Sequence, residues 1–227
     1  MKILMINGSP NAESCTYTAL QEVAKPIHEA GIKTELLQLG RGPTNGCTAC
    51  GGCGRDGHCV YGTDGVNQAI DLMAGCDGMV IGSPVYYAGP NGGLLAFLDR
   101  MFFAAGRGFA HKPGAAVVSA RRGGTTAALD RLNKYFQISQ MPLVSSQYWN
   151  MVHGNRPEEV LQDLEGLQIM RTLGRNMAWL LKSIEAGRAA GLALPERPEP
   201  RVGTKFTRSR SITWIRTSKS ASRAVRG

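Results

Sequence analysis

No stretch of this sequence approaches the ~20 consecutive apolar residues that a membrane-spanning helix needs, and the opening MKILMING lacks the charged-then-apolar layout of a signal peptide. A cytoplasmic protein is therefore expected, with no membrane partner. The marks of hydrolysis are missing too: no HExxH helix, no Ser/His/Asp order and no carboxylate pair stands out. No internal repeat is visible. Acidic residues are absent from Arg201 to Gly227, which holds eight of the 26 Lys and Arg. Residues 1–200 then carry 18 basic against all 17 acidic side chains, a net of +1. The formal charge of +9 thus belongs to the tail, and a nucleic-acid partner is not expected for the nearly neutral body.

What remains is enough for a packed fold. At 227 residues, 43% hydrophobic and 19% charged, the chain can bury a full core, as one domain or one domain with an appendage. Apolar patterning predicts strands over 2–7, 33–39, 78–83, 115–119 and 143–148. Between them lie helical spacings at Leu20, Val23, Ile27, at Leu94, Leu95, Leu98, Met101, Phe102, and over 125–136. Asp64 is a plausible N-cap for a helix through Met73. Pro157 suits the first turn of a last helix whose stripe runs Leu164, Leu167, Met170, Leu173, Met177, Leu180, Ile184. Strands alternating with helices imply a mostly parallel sheet covered on both faces, whose ligands sit at the carboxyl ends of the strands. Residues 1–190 form that domain. A Pro-rich linker and basic, poorly ordered tail over 191–227 follow.

Three glycine-rich loops would open at that edge. In Gly8-Ser9-Pro10-Asn11-Ala12-Glu13-Ser14-Cys15-Thr16, backbone amides at a helix start and the hydroxyls of Ser9, Ser14 and Thr16 can hold a phosphate monoester, although an ordinary capped turn reads the same way. This loop has neither the GxxxxGK[ST] lysine nor the GxGxxG fingerprint. The second, from Gly82 to Asn91, offers Tyr86 and Tyr87 for stacking on a flat heteroaromatic ring, or merely for packing the loop. The third, Ser119-Ala120-Arg121-Arg122-Gly123-Gly124-Thr125, can close over the same ring.

Residues 40–65 hold nine glycines and four of the six cysteines, at Cys47, Cys50, Cys53 and Cys59. In a reducing compartment such clustering serves metal or redox chemistry rather than disulfides. Four thiolates on short glycine-rich spacers can surround a cubane, with Gly51, Gly52 and Gly54 letting the backbone turn. Zinc, which more often uses two separated CxxC pairs, and uncoordinated thiols remain open. His58 adjoins Cys59 as a further ligand candidate or a solvated side chain. Cys76 is expected to be a small packing residue.

The order of GSP loop, SPVYY loop and SARRGG loop on this alternation resembles the flavodoxin-like NADPH-dependent FMN reductase and iron-sulfur flavoprotein family, over roughly residues 1–190. The resemblance implies a three-layer doubly wound sheet of five parallel strands in the order 2-1-3-4-5. It implies that Ser9, Asn11, Ser14, Cys15 and Thr16 hold the FMN phosphate, and that Ser83, Pro84, Val85, Tyr86, Tyr87 and Asn91 line the isoalloxazine. Ser119, Arg121, Gly123 and Gly124 would close the site. Relatives commonly run GSPRKxGNT, so Asn11 stands for an arginine and Cys15 for an asparagine. Cys47, Cys50, Cys53 and Cys59 match the compact pattern that carries a [4Fe-4S] cluster close to FMN.

The implied function is an FMN-dependent oxidoreductase passing electrons from NAD(P)H or ferredoxin through FMN and the cluster to a small-molecule acceptor, as a homodimer or homotetramer. A nicotinamide donor would dock transiently over the flavin, leaving no second fingerprint. His153, in NMVHG, lies near the expected flavin edge but is not assigned as an acid. The alternatives are an NAD(P)H-dependent FMN or quinone reductase without a cluster, and a non-enzymatic flavodoxin-like electron carrier.

Overall fold

A computed structural model describes residues 1–196, 199, 200 and 202. Residues Met1–Ala193 form one compact unit, and Leu194–Gly227 are a second. The expected disorder of the basic tail falls almost wholly on residues outside those described.

Five parallel strands build the sheet: β1 (Lys2–Asn7), β2 (Lys33–Gln38), β3 (Gly78–Tyr86), β5 (Gly114–Ala120) and β6 (Met151–His153). A two-residue strand, β4 (Gly89–Pro90), pairs antiparallel with the end of β3. The order β2-β1-β3-β5-β6 is the doubly wound order expected. Helices α1 (Cys15–Glu29), α2 (Val66–Ala74), α3 (Gly92–Ala105), α4 (Thr125–Ile138), the short α5 (Pro157–Val160) and α6 (Leu164–Ala189) connect and cover it.

The near-continuous apolar runs of β1, β3 and β5 follow from burial on both faces. Leu4, Ile6, Met79, Ile81, Ala116 and Val118 join the layer of α2, α3 and α4, which contributes Phe97, Leu98 and Phe136. Their alternating neighbours Ile3, Met5, Val80, Ala115 and Val117 join the layer of α1 and α6, which contributes Leu20, Val23, Met170 and Leu173. At the contact of α1 with α6, a Cβ on Gly174 would stand 2.3 Å from the Val23 carbonyl oxygen, so only glycine allows that approach.

Three local expectations are corrected. The fifth strand is not 143–148: Leu143 makes one isolated bridge to Gly114, and β6 pairs with the far end of β5, Val118 to Ala120. Between these contacts the chain leaves the sheet, Ser146 Oγ bonding Tyr148 O and Asn150 Oδ1. Pro157 opens the separate α5, while α6 starts at Leu164 behind Asp163, whose carboxylate accepts from the Gly166 amide at 2.9 Å. Asp64 does not cap α2. Gly65 does so with φ +87° and no side-chain bond, because the Asp64 carboxylate is held by Arg100.

Candidate functional site

Strand register brings three loops to one edge. Asn7, the last residue of β1, lies beside Gln38 and Gly82, while Pro84 lies beside Ser119, and Ala120 beside His153. The loops after β1, β3 and β5 therefore leave the sheet side by side.

The first loop is folded by a residue that pattern reading passed over. Buried Asn7 accepts the Ser9 amide on Oδ1 at 3.1 Å and donates from Nδ2 to Gln38 Oε1 at 2.6 Å. Gln38 in turn donates to Ser9 O at 2.6 Å. An Asn closing an apolar strand just before Gly8 was the available signal. Ser9 Oγ accepts the Asn11 amide, and Ser14 Oγ accepts the Tyr17 amide as the N-cap of α1. The first-turn amides of Cys15 and Thr16 are left facing out of the helix start. Asn11 is exposed and its Oδ1 accepts from Arg41 at 2.7 Å. Cys15 is half-buried, its thiol donating to Gly154 O at 3.5 Å, and burial pushes its pKa up.

The second loop doubles back at Tyr87 and Ala88, whose φ values of +50° and +59° suit a tight hairpin turn and are rare for residues with side chains. Tyr87 is fully exposed and Tyr86 half-exposed. Ser83 Oγ donates to Pro84 O at 2.8 Å and accepts the Asn91 amide at 3.0 Å; Asn91 Oδ1 caps α3 at the Leu94 amide. Both side chains thus shape the loop, and Asn91 also lines a pocket with Gly8 and Pro10 of the first loop. Val85 and Pro84 are half-buried.

The third loop is locked to the other two. Ser119 Oγ and Thr16 Oγ1, both buried, lie 2.8 Å apart. Gly124, at φ +93°, sits against the hairpin turn: a Cβ there would stand 2.7 Å from Ala88 Cα. Arg121, Arg122 and Gly123 are exposed at the rim. His153 ends β6 at the same edge, exposed, with its ring 3.8 Å from the Asp163 carboxylate.

The cysteine loop is irregular apart from two 3-10 turns at Gly52–Gly54 and Gly62–Asp64. Cys47, Cys50, Cys53 and Cys59 nevertheless line one pocket with Arg100 and Phe103 of α3, partly open to solvent. Among the described residues, no three Cys, His, Asp or Glu side chains converge closely enough to hold a single metal ion. Two polar side chains outside the loop fix it, and neither stands out in the sequence. Asn67 of α2 accepts the Cys59 amide at 2.8 Å and donates to Cys59 O at 2.9 Å. Arg100, only 2% exposed, donates to Cys59 Sγ at 3.2 Å and also binds Asp64, Tyr61 O and Asn45 O. Burial works against its charge, but Asp64 and Cys59 outweigh that and hold its pKa above the ordinary value. His58 is directed away, to Asp71 Oδ1 at 2.8 Å, and that bond raises its pKa. Cys76 is buried apart from the others, as expected.

The model of the NADPH-dependent FMN reductase family matches residues 1–156. The chain belongs to that family. It is a flavin-dependent oxidoreductase with a flavodoxin-like fold. This FMN reductase family member is 31% identical over 193 residues to an iron-sulfur flavoprotein of Methanocaldococcus jannaschii, covering 82% of this chain and 100% of the relative. It is 29% identical over 197 residues to an iron-sulfur flavoprotein of Methanosarcina thermophila, covering 83% and 99%. Among solved structures, the NAD(P)H:quinone oxidoreductase from Methanothermobacter marburgensis shares its fold at a TM-score of 0.60 and 16% identity, over 78% of this chain and 96% of that one.

Proposed function

We propose that this family member binds FMN at the carboxyl edge of its sheet and a [4Fe-4S] cluster in the loop of Cys47, Cys50, Cys53 and Cys59. It would then carry electrons between NAD(P)H or ferredoxin and a small-molecule acceptor. The observation that carries the reading is that all four loop cysteines line one pocket. A cubane takes one thiolate on each of four irons, so its ligands need not crowd a single point as zinc ligands must. The iron-sulfur flavoproteins among the relatives support the same choice.

When bound, FMN supplies two-electron and one-electron chemistry and a cubane one-electron chemistry; the chain supplies position and charge. The amides of Cys15 and Thr16 and the hydroxyls of Ser9, Ser14 and Thr16 would receive the phosphate, with Asn11 at the rim. Each of these hydroxyls can still donate while it accepts its backbone or side-chain partner. Ser83, Pro84, Val85, Tyr86, Tyr87 and Asn91 would line the ring, Ser83 and Asn91 bracing the loop as well. Ser119, Gly123 and Gly124 would set the opposite wall, and Arg121 would offset negative charge on the flavin or a phosphate. Tyr87, fully exposed, suits burial against a second copy in a homodimer or homotetramer.

A second reading, an NAD(P)H-dependent FMN or quinone reductase without a cluster, draws on the lack of a converged single-ion site among the described residues and on the exposure of Cys47 and Cys50. Both readings predict that NADPH or reduced ferredoxin, added without oxygen, bleaches the bound flavin in proportion to the electrons supplied. A flavin-loaded protein that neither donor bleaches contradicts both.

A further inference from the structure

A buried arginine on a core-facing helix needs a reason, since leaving its fork unpaired would be costly. Arg100 belongs to α3, yet its guanidinium reaches out of the sheet layer into the cysteine loop. There it meets four loop positions spread over 20 residues: Asn45, Cys59, Tyr61 and Asp64. One of its N–H groups ends on a sulfur, Cys59 Sγ at 3.2 Å. The loop has no strand and only two short turns of its own, so this one side chain provides much of what fixes its path.

We propose that Arg100 is the positioning residue of the cysteine loop: it folds the loop around its four thiols before a cluster is present, and its N–H on Cys59 Sγ raises the reduction potential of the bound cluster. The second half rests on the cluster reading above. One-electron reduction places added negative charge on the cluster and its thiolates, and a hydrogen bond from a cation to a ligand sulfur stabilises that charge. Asp64 opposes it, since its carboxylate is paired with the same guanidinium. Arg100 and Asp64 therefore form a matched pair whose two members push the potential in opposite directions.

Those opposite signs separate electrostatics from loosening of the loop. Arg100→Gln and Asp64→Asn are purified anaerobically beside the unsubstituted protein, and iron and sulfide per FMN and the midpoint potential of the cluster are measured. Arg100→Gln is expected to lose iron several-fold relative to FMN and to lower the potential of the cluster that remains, while Asp64→Asn raises it. Unchanged iron and potential in Arg100→Gln, or shifts of the same sign in both variants, overturn the proposal. Should Arg100→Gln not fold, Arg100→Lys keeps the charge without the fork, with iron loss expected and a potential nearer that of the parent. A parent protein that holds FMN but no iron after reconstitution ends the cluster reading by itself. The positioning role is then read from amide hydrogen exchange over 45–64 in metal-free protein, where Arg100→Gln should exchange about tenfold faster or more, and an unchanged rate overturns it.

Discussion

Thr16 Oγ1 and Ser119 Oγ, 103 residues apart in sequence, sit 2.8 Å apart and buried at the carboxyl edge of the sheet. That bond ties the start of α1 to the end of β5, so the two walls proposed for the flavin share one buried contact. Replacing Thr16 by Val should leave the Ser119 hydroxyl unpaired and lower stability by about 1–3 kcal/mol. The double variant Thr16→Val/Ser119→Ala should cost less than the two single costs added, because the second change removes the orphaned group. Urea unfolding and the FMN dissociation constant of all four proteins check this, and strict additivity contradicts it.

Gly124 tests the other junction. At φ +93°, with only 2.7 Å between the place a Cβ would take and Ala88 Cα, it leaves no room for a side chain without moving the Tyr87–Ala88 turn. Gly124→Ala should cost roughly 1–3 kcal/mol of local strain and weaken FMN binding more than it lowers the unfolding midpoint. Equal affinity for FMN in the variant and its parent counts against a shared wall.

Cysteine reactivity should follow burial. Cys47 and Cys50 are exposed, while Cys76 is 2% exposed with its thiol pKa pushed up by burial, against which Lys2 and Lys112 pull down. Alkylation of native metal-free protein, read by peptide mass spectrometry, should label Cys47 and Cys50 first and Cys76 last. Cys15, half-buried with a raised pKa, should lag the loop cysteines and gain reactivity as pH rises.

Tyr135 of α4 predicts an alkaline limit. Burial, then the hydrogen bond to Asp99, raises its pKa well above the ordinary value near 10, although the Arg131 guanidinium 4.6 Å from its ring centre pulls the other way. Above pH 10 the unfolded chain releases this proton while the folded one keeps it, so stability falls with rising pH, by at most about 1.4 kcal/mol per unit from this group. Tyr135→Phe should remove that share of the slope. Chemical unfolding at several alkaline pH values gives the comparison.

Local patterning made the strands, the helices and the three loops legible, because apolar runs bounded by Gly-Ser-Pro or Gly-Gly describe a buried parallel strand turning into a helix. Position failed where partners were remote. The run from Leu143 to Tyr148 has strand composition, but β5 accepts it only at Leu143 and takes Met151–His153 at its other end. Asp64 has the residue type and place of a cap, yet a cation 36 residues away claims it. Arg100 falls outside the apolar spacing Leu94, Leu95, Leu98, Met101, Phe102 and carries no mark of its own in the sequence. Its burial is created by the glycine-rich loop that covers it, a contact no helical period records. Asn67 and Asn7 escaped notice for the same reason: each holds a backbone segment that sequence spacing does not place beside it.

FMN and the cluster are both expected on one chain. The most direct measurement is the visible spectrum of anaerobically purified protein together with its FMN, iron and acid-labile sulfide content. Flavin bands over a broad brown shoulder that dithionite bleaches are expected, with about one FMN, four irons and four sulfides per chain. Bound flavin without iron or sulfide, after reconstitution as well as before, contradicts that expectation.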